Sequence, residues 1–160
     1  LKDTQRKEVL KYLDVSLPNV TTTADARFIA FENGILDIVT REMQDFDPSI
    51  VITNKIHFDY DPNAYHELTD RTLNKLACGD LDVRAVIEEC TGYCLYRRNE
   101  LGKAFILTGD KSNGKSTFLD MVKTMLGTEN VSSLDLQELG DRFSSAMMFG
   151  KLANIGDDAT

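Results

Sequence analysis

The sequence predicts an α/β chain in which parallel strands and helices surround a phosphate-binding loop, preceded by a small β-rich segment and a helical linker. Three observations predict it. The stretch "FILTGDKSNGKSTFLDMV", Phe105 to Val122, runs from apolar residues through two glycines into Lys-Ser-Thr and a helical pattern. After it, strand-like and helix-like runs alternate and end on two adjacent carboxylates, Asp157 and Asp158. Before it, short alternating runs between Arg27 and Tyr60 give way to helical spacing.

The elements follow in order. Leu1 to Leu13 carries Val9, Leu10 and Leu13 on a charged background, which predicts a short amphipathic helix ending before Pro18. "RFIAF", "GILDIV", "SIVIT" and "KIHFDY" read as strands, with "ENG" and "VTRE" as turns and Asn33-Gly34 as a hairpin or loop pair without chemistry. "DPNAYHELTDRTLNKLACG" and "DLDVRAVIEECTGYCLYRR" read as helices separated by Gly79, the second with Val83, Val86, Ile87, Cys90 and Tyr93 or Cys94 on one stripe. Arg97, Arg98 and Lys103 fall in a connector that reads as a solvated loop.

Ala104 to Thr108 then predicts a short buried strand, and Phe118, Met121, Val122 and Met125 recur at helical spacing. Gly127 reads as a C-cap, and "NVSSLDL" as a second strand. Asp135 and Glu138 form a capping-box pattern opening a helix through about Met147, closed by Gly150. Leu152 to Ile155 is a final apolar strand leading to the acids. The organisation is thus an N-terminal helix plus β-rich module over 1–65, a helical linker over 66–100, and the first part of the phosphate-loop core over 101–160.

The chemistry of the loop is read from its residue types. A helix N-terminus presents backbone N–H groups without intrahelical partners, and the aligned peptide dipoles add partial positive charge. Gly109 to Ser116 fits G-x-x-x-x-G-K-[ST], the P-loop, where glycine permits positive φ and close approach of backbone to phosphate. The nucleotide-binding candidates are therefore Gly109, Asp110, Lys111, Ser112, Asn113, Gly114, Lys115, Ser116 and Thr117. On this reading Lys115 would reach the β- and γ-phosphates, and the Ser116 hydroxyl would be a Mg²⁺ ligand. Against this stands a plain glycine-rich turn between strand and helix. Hydrolysis further requires one acid to hold Mg²⁺ through water and one to orient the attacking water. Asp157 and Asp158 fit those two jobs, with a simple aspartate cap as the alternative.

Length and composition narrow the classes. At 160 residues with 42% hydrophobic content, the chain can bury one core, or a compact domain plus a smaller one. No apolar run suits a membrane span and no basic, hydrophobic leader is present, which makes the cytosol the default expectation. Cys90 and Cys94 share a helix face, but His57 and His66 are distant in sequence and buried packing thiols suit a reduced compartment better than zinc. A net charge of -8 denies the chain a general attraction for nucleic acid, so any DNA contact is local or belongs to other parts of a longer protein.

"FILTGDKSNGKSTFLDMVKTMLG" with "GKLANIGDD" resembles the superfamily 3 helicases, in particular phage and plasmid primase-helicases and their poxvirus relatives. "FENGILDIVTREMQDFDPSIVITNKIHFDYDPNA" resembles the module preceding the ATPase core in those proteins, and "EECTGYCLY" the helical segment joining the two. The resemblance covers the chain from about Arg27 onward. It implies an AAA+ like P-loop ATPase that uses ATP and Mg²⁺, works as a homo-hexamer on single-stranded DNA during replication, and sits in the cytoplasm of a bacterial host as a phage or plasmid product. By it, Lys115 is the Walker A lysine, Ser116 the Mg²⁺ ligand, Asp157 the metal-side acid and Asp158 the catalytic base. Asn113 is typical of the group, whereas Asp110 and Lys111 stand where members more often carry small residues. The resemblance also implies that the sensor asparagine, DNA-binding hairpin and arginine finger lie beyond Thr160. The chain is accordingly expected to be a middle piece of a larger protein, weak or inactive in hydrolysis alone and compatible with a monomer.

Two other classes fit parts of the pattern. One is a different P-loop enzyme: a GTPase would normally carry N-K-x-D after its P-loop, whereas the Asn-Lys of "TNKI" precedes it and lacks the aspartate, and a small-molecule kinase would need a substrate pocket and a lid that the sequence does not show. A second rival is a non-catalytic adaptor domain whose nucleotide site serves assembly only.

Overall fold

The structure is a computed structural model that describes residues 3–8, 23–140 and 144–156. Residues 3–8 are helical; the rest of the helix expected over Leu1 to Leu13, and the acid pair Asp157 and Asp158, lie outside the described residues.

A three-stranded antiparallel meander follows: β1 (Phe28–Phe31), β2 (Gly34–Asp37) and β3 (Glu42–Gln44), in the order β1-β2-β3. The hairpin at Asn33-Gly34 is realised, with Phe31 opposite Gly34. Gly34 is needed for space, since a Cβ there would lie 2.6 Å from the Gln44 carbonyl oxygen on β3. Asn33 ties this hairpin to a distant segment, because its side chain donates to the Tyr60 carbonyl at 3.0 Å and accepts from the Tyr60 N–H at 2.9 Å. The "VTRE" turn is built on Asp37, whose Oδ1 accepts from the Val39 N–H at 2.9 Å and whose carbonyl accepts from the Arg41 N–H at 2.7 Å. Asp37 is 7% exposed and meets the Arg27 guanidinium at 3.3 Å, so its buried charge is partnered.

Two of the four expected strands change status. "KIHFDY" lies alongside β1 through a parallel bridge between Ala30 and Lys55 and a bond from the Glu32 N–H to the Phe58 carbonyl. "SIVIT" is not a strand. Its Val51 carbonyl accepts from the Ala24 N–H, but β1 is already bonded to β2 on one edge and to residues 55–58 on the other. β3, in contrast, formed where no strand was expected, as a fully exposed edge.

Helix α1 (Glu67–Leu76) is capped by His66, whose side chain accepts from the Thr69 N–H. Cys78 and Gly79, at φ 53° and 77°, turn the chain into α2 (Leu81–Tyr93), where the Asp80 carboxylate accepts from the Asp82 and Val83 N–H groups at 2.9 and 3.1 Å. The apolar stripe expected on α2 is only partly inward. Val83 and Val86 are 45% and 55% exposed, whereas Ile87 and Cys94 pack on the core. The connector also departs from a solvated loop: Arg97 donates from Nη2 to the Ala24 and Asp25 carbonyls at 3.0 and 2.6 Å, and burial lowers its pKa.

Ala104 to Thr108, expected as a buried strand, is exposed and, among the described residues, unpaired. Phe105, Ile106 and Leu107 are 49%, 74% and 37% exposed, and among the described residues no strand runs beside them. A strand requires a ladder partner, and apolarity alone does not provide one. Helix α3 (Lys115–Leu126) buries Phe118, Val122 and Leu126, four residues apart, and ends at Gly127 with φ 84° as expected.

Beyond it, β4 (Val131–Ser132) and β5 (Ala153–Asn154) pair in parallel. The capping box forms, with reciprocal bonds of 3.0 and 2.6 Å between Asp135 and Glu138. The helix expected through about Met147 is instead two short 3₁₀ pieces, Glu138–Gly140 and Ser144–Met148. Residues 141–143, between the two, lie outside the described residues.

The observed architecture is therefore mixed α/β, with one small antiparallel sheet and one two-stranded parallel sheet. A single core joins them: Ile29, Phe31, Leu36 and Ile56 from the β-rich segment pack with Phe118, Val122, Leu126 and Ile155.

Candidate phosphate-binding site

The loop between the exposed apolar run and α3 is built by its glycines. Gly109 takes φ 151° and Gly114, the N-cap of α3, takes φ 93° in the left-handed region. At Gly114 a β-carbon would be strained by that φ and would lie 2.7 Å from Leu76 Cδ2, while at Gly109 it would overlap Asn113 Nδ2. Between them Asp110, Lys111, Ser112 and Asn113 form an exposed turn, with Ser112 at φ 58°.

No side chain caps the N-terminus of α3. The backbone bond nearest this end runs from the Phe118 N–H to the Gly114 carbonyl, so the amides of Lys115, Ser116 and Thr117 precede the helical ladder. Both Ser116 and Thr117 are exposed. Lys115 folds back over the loop: its ammonium donates to the Gly109 and Asp110 carbonyls at 2.8 Å each and to Asn113 Oδ1 at 3.0 Å. The ammonium thus sits above the turn, held by three neutral oxygens.

The structure accordingly brings together the sequence-predicted residues from Gly109 to Thr117. Among the described residues, no group of three or more acidic, histidine or cysteine side chains is arranged to hold a metal. Ser116 is the Mg²⁺-ligand candidate on described ground, and Asp157, the other, lies outside it. Cys90 and Cys94 are half-buried; burial pushes the Cys90 thiol up to about 11 and raises Cys94 as well, and Cys94 packs against the core.

Sequence reasoning missed the residue that roofs the loop. Leu76 reaches Gly114 from the end of α1, and nothing local in either segment signals that contact. A groove of about 690 Å³ also runs along α3, between Leu73 on α1, Thr91 on α2, and Met121 and Met125. The helical spacing of the two methionines was legible, but the groove they line was not, and Met125 also packs against the core.

Residues 1–78 match the protein-family model described as "D5 N terminal like", and residues 107–160 match a "Family of unknown function (DUF5906)". Over 134 residues the chain is 27% identical to the Acanthamoeba polyphaga mimivirus protein named "Putative helicase L207/L206". That alignment covers 81% of this chain and 14% of the mimivirus protein, so the chain corresponds to a small part of that relative's length. The similarities connect the chain with helicase-primase-related proteins. Among the described residues, no helix is long and apolar enough to cross a membrane.

Proposed function

We propose that this chain binds adenine nucleotide with Mg²⁺ through Gly109 to Ser116, as the nucleotide-binding part of a superfamily 3 type helicase-primase with an AAA+ like P-loop core. The observation that carries the reading is the uncapped N-terminus of α3, entered through a left-handed Gly114 and overhung by the Lys115 ammonium. Backbone donors, a helix dipole and a long-armed cation converge there on one small volume, the combination a polyphosphate needs. Calorimetry tests it. Lys115→Ala should remove most of the ATP affinity, because a charge-assisted contact to phosphate is lost; equal binding by both proteins would refute the reading.

Hydrolysis, translocation on single-stranded DNA and assembly as a homo-hexamer are proposed for a longer protein containing this chain, supported by the helicase name of the mimivirus relative and by the D5 N-terminal match. In that protein Asp157 is proposed as the metal-side acid and Asp158 as the base that orients the attacking water. When bound, Mg²⁺ would neutralise charge developing on the phosphates, with Ser116 and Asp157 as its protein-side groups. Asp157→Asn should weaken Mg²⁺-dependent nucleotide binding. Asp158→Asn should leave binding nearly intact while turnover collapses. Undiminished ATPase rates in the Asp158→Asn protein would return the pair to a simple cap.

A further inference from the structure

We propose that Leu76 is a positioning residue for the phosphate loop, so that the α1–α2 hairpin sets how well the loop receives nucleotide; this rests on the nucleotide reading above. The three bonds of the Lys115 ammonium all go to the loop itself, so they shape the loop without fixing it relative to the rest of the molecule. Leu76 supplies a contact from outside. Its Cδ2 lies where a β-carbon on Gly114 would approach within 2.7 Å, so the leucine closes the bare side of the very residue whose left-handed turn aims the first amides of α3.

Leu76 is itself firmly held. It is the last residue of α1, it packs with Leu73 against the core, and the next residue, Ala77, is 2% exposed. Arg84 fastens α1 to α2: it meets Asp70 Oδ1 at 2.9 Å, the Asp70 carbonyl at 3.0 Å and Asn74 Oδ1 at 2.8 Å, while Glu88 accepts from its Nε at 2.7 Å. A rigid hairpin therefore ends in an apolar tip resting on the hinge of the loop. Any shift of α1 along its axis withdraws the tip and lets Gly114, which can adopt many conformations, leave its turn. Because coupling is reciprocal, nucleotide on the loop must in turn steady the end of α1.

The test measures ATP binding with Mg²⁺ by calorimetry, using the whole chain and its Leu76→Ala, Leu76→Val, Leu76→Met and Leu73→Ala variants. Leu76→Ala should weaken ATP about tenfold, the scale on which ångström displacements of positioned groups are felt. Leu76→Val, which keeps the fold more safely but lacks the δ-carbons, should fall between. Leu76→Met should restore binding, and Leu73→Ala, on the same helix and core, should lower the melting temperature while binding ATP normally. ATP should also slow amide hydrogen exchange over residues 73–78 in the parent chain. Normal affinity in Leu76→Ala or Leu76→Val, or an equal loss in Leu73→Ala, would overturn the positioning role. No ATP binding by the parent chain would overturn the nucleotide reading and this inference with it.

Discussion

At the scale of single residues, the thiols provide a pH-dependent expectation. Burial raises the pKa of Cys90 from an ordinary value of 9.0 to about 11, and burial raises Cys94 too, whereas Cys78 is exposed on the turn between α1 and α2. Because the thiolate is the nucleophile, iodoacetamide at pH 8 should modify Cys78 first and leave Cys90 and Cys94 largely unlabelled, as read by intact mass. The sign for stability follows from the same shift. The folded chain holds the Cys90 proton more tightly than the unfolded chain, so the associated stability is present below pH 9 and is lost as pH rises towards 11. Which residues were legible in advance depends on how local their partners are. Asp135 with Glu138, Gly127 as a helix stop and Asn33-Gly34 as a hairpin were all readable, because each interaction closes within a few residues. Leu76 on Gly114 and Arg97 on Ala24 were not, because their partners are brought together only by the fold.

At the scale of elements, the turn after α3 is fastened by one side chain. Asn130 is 4% exposed; its Nδ2 donates to the Leu126 carbonyl at the end of α3 and to the Lys55 carbonyl, each at 2.8 Å. Its Oδ1 accepts from Asn54 at 3.2 Å. Asn130→Ala would strand two carbonyls and should cost about 1–3 kcal/mol, measured by urea unfolding. The same comparison explains why strands were harder to read than helices. The α3 pattern of Phe118, Val122 and Leu126 is a property of the segment itself, whereas "SIVIT" and Ala104 to Thr108 needed a free neighbouring edge that periodicity cannot report. β3 was missed for the converse reason: "EMQ" is polar and exposed, and it pairs because the turn at Asp37 returns it to β2.

At the scale of the whole molecule, one core is shared between the β-rich segment and α3 with β5, so the candidate site is mounted on the same interior that holds the N-terminal sheet. The exposed apolar run beside that site has a colloidal consequence. Phe105, Ile106 and Leu107 offer bare hydrocarbon on an extended run that, among the described residues, has no strand beside it, the conditions under which extended segments template one another. Opposing this is the net charge of -8, which keeps molecules apart through long-range repulsion. Added salt shortens that repulsion to about 10 Å at 0.1 M and to about 3 Å at 1 M while leaving the apolar attraction intact. Light scattering should therefore rise with ionic strength, and Ile106→Lys should suppress the rise; scattering that falls with salt would mean that ionic contacts, not this ribbon of hydrocarbon, govern self-association.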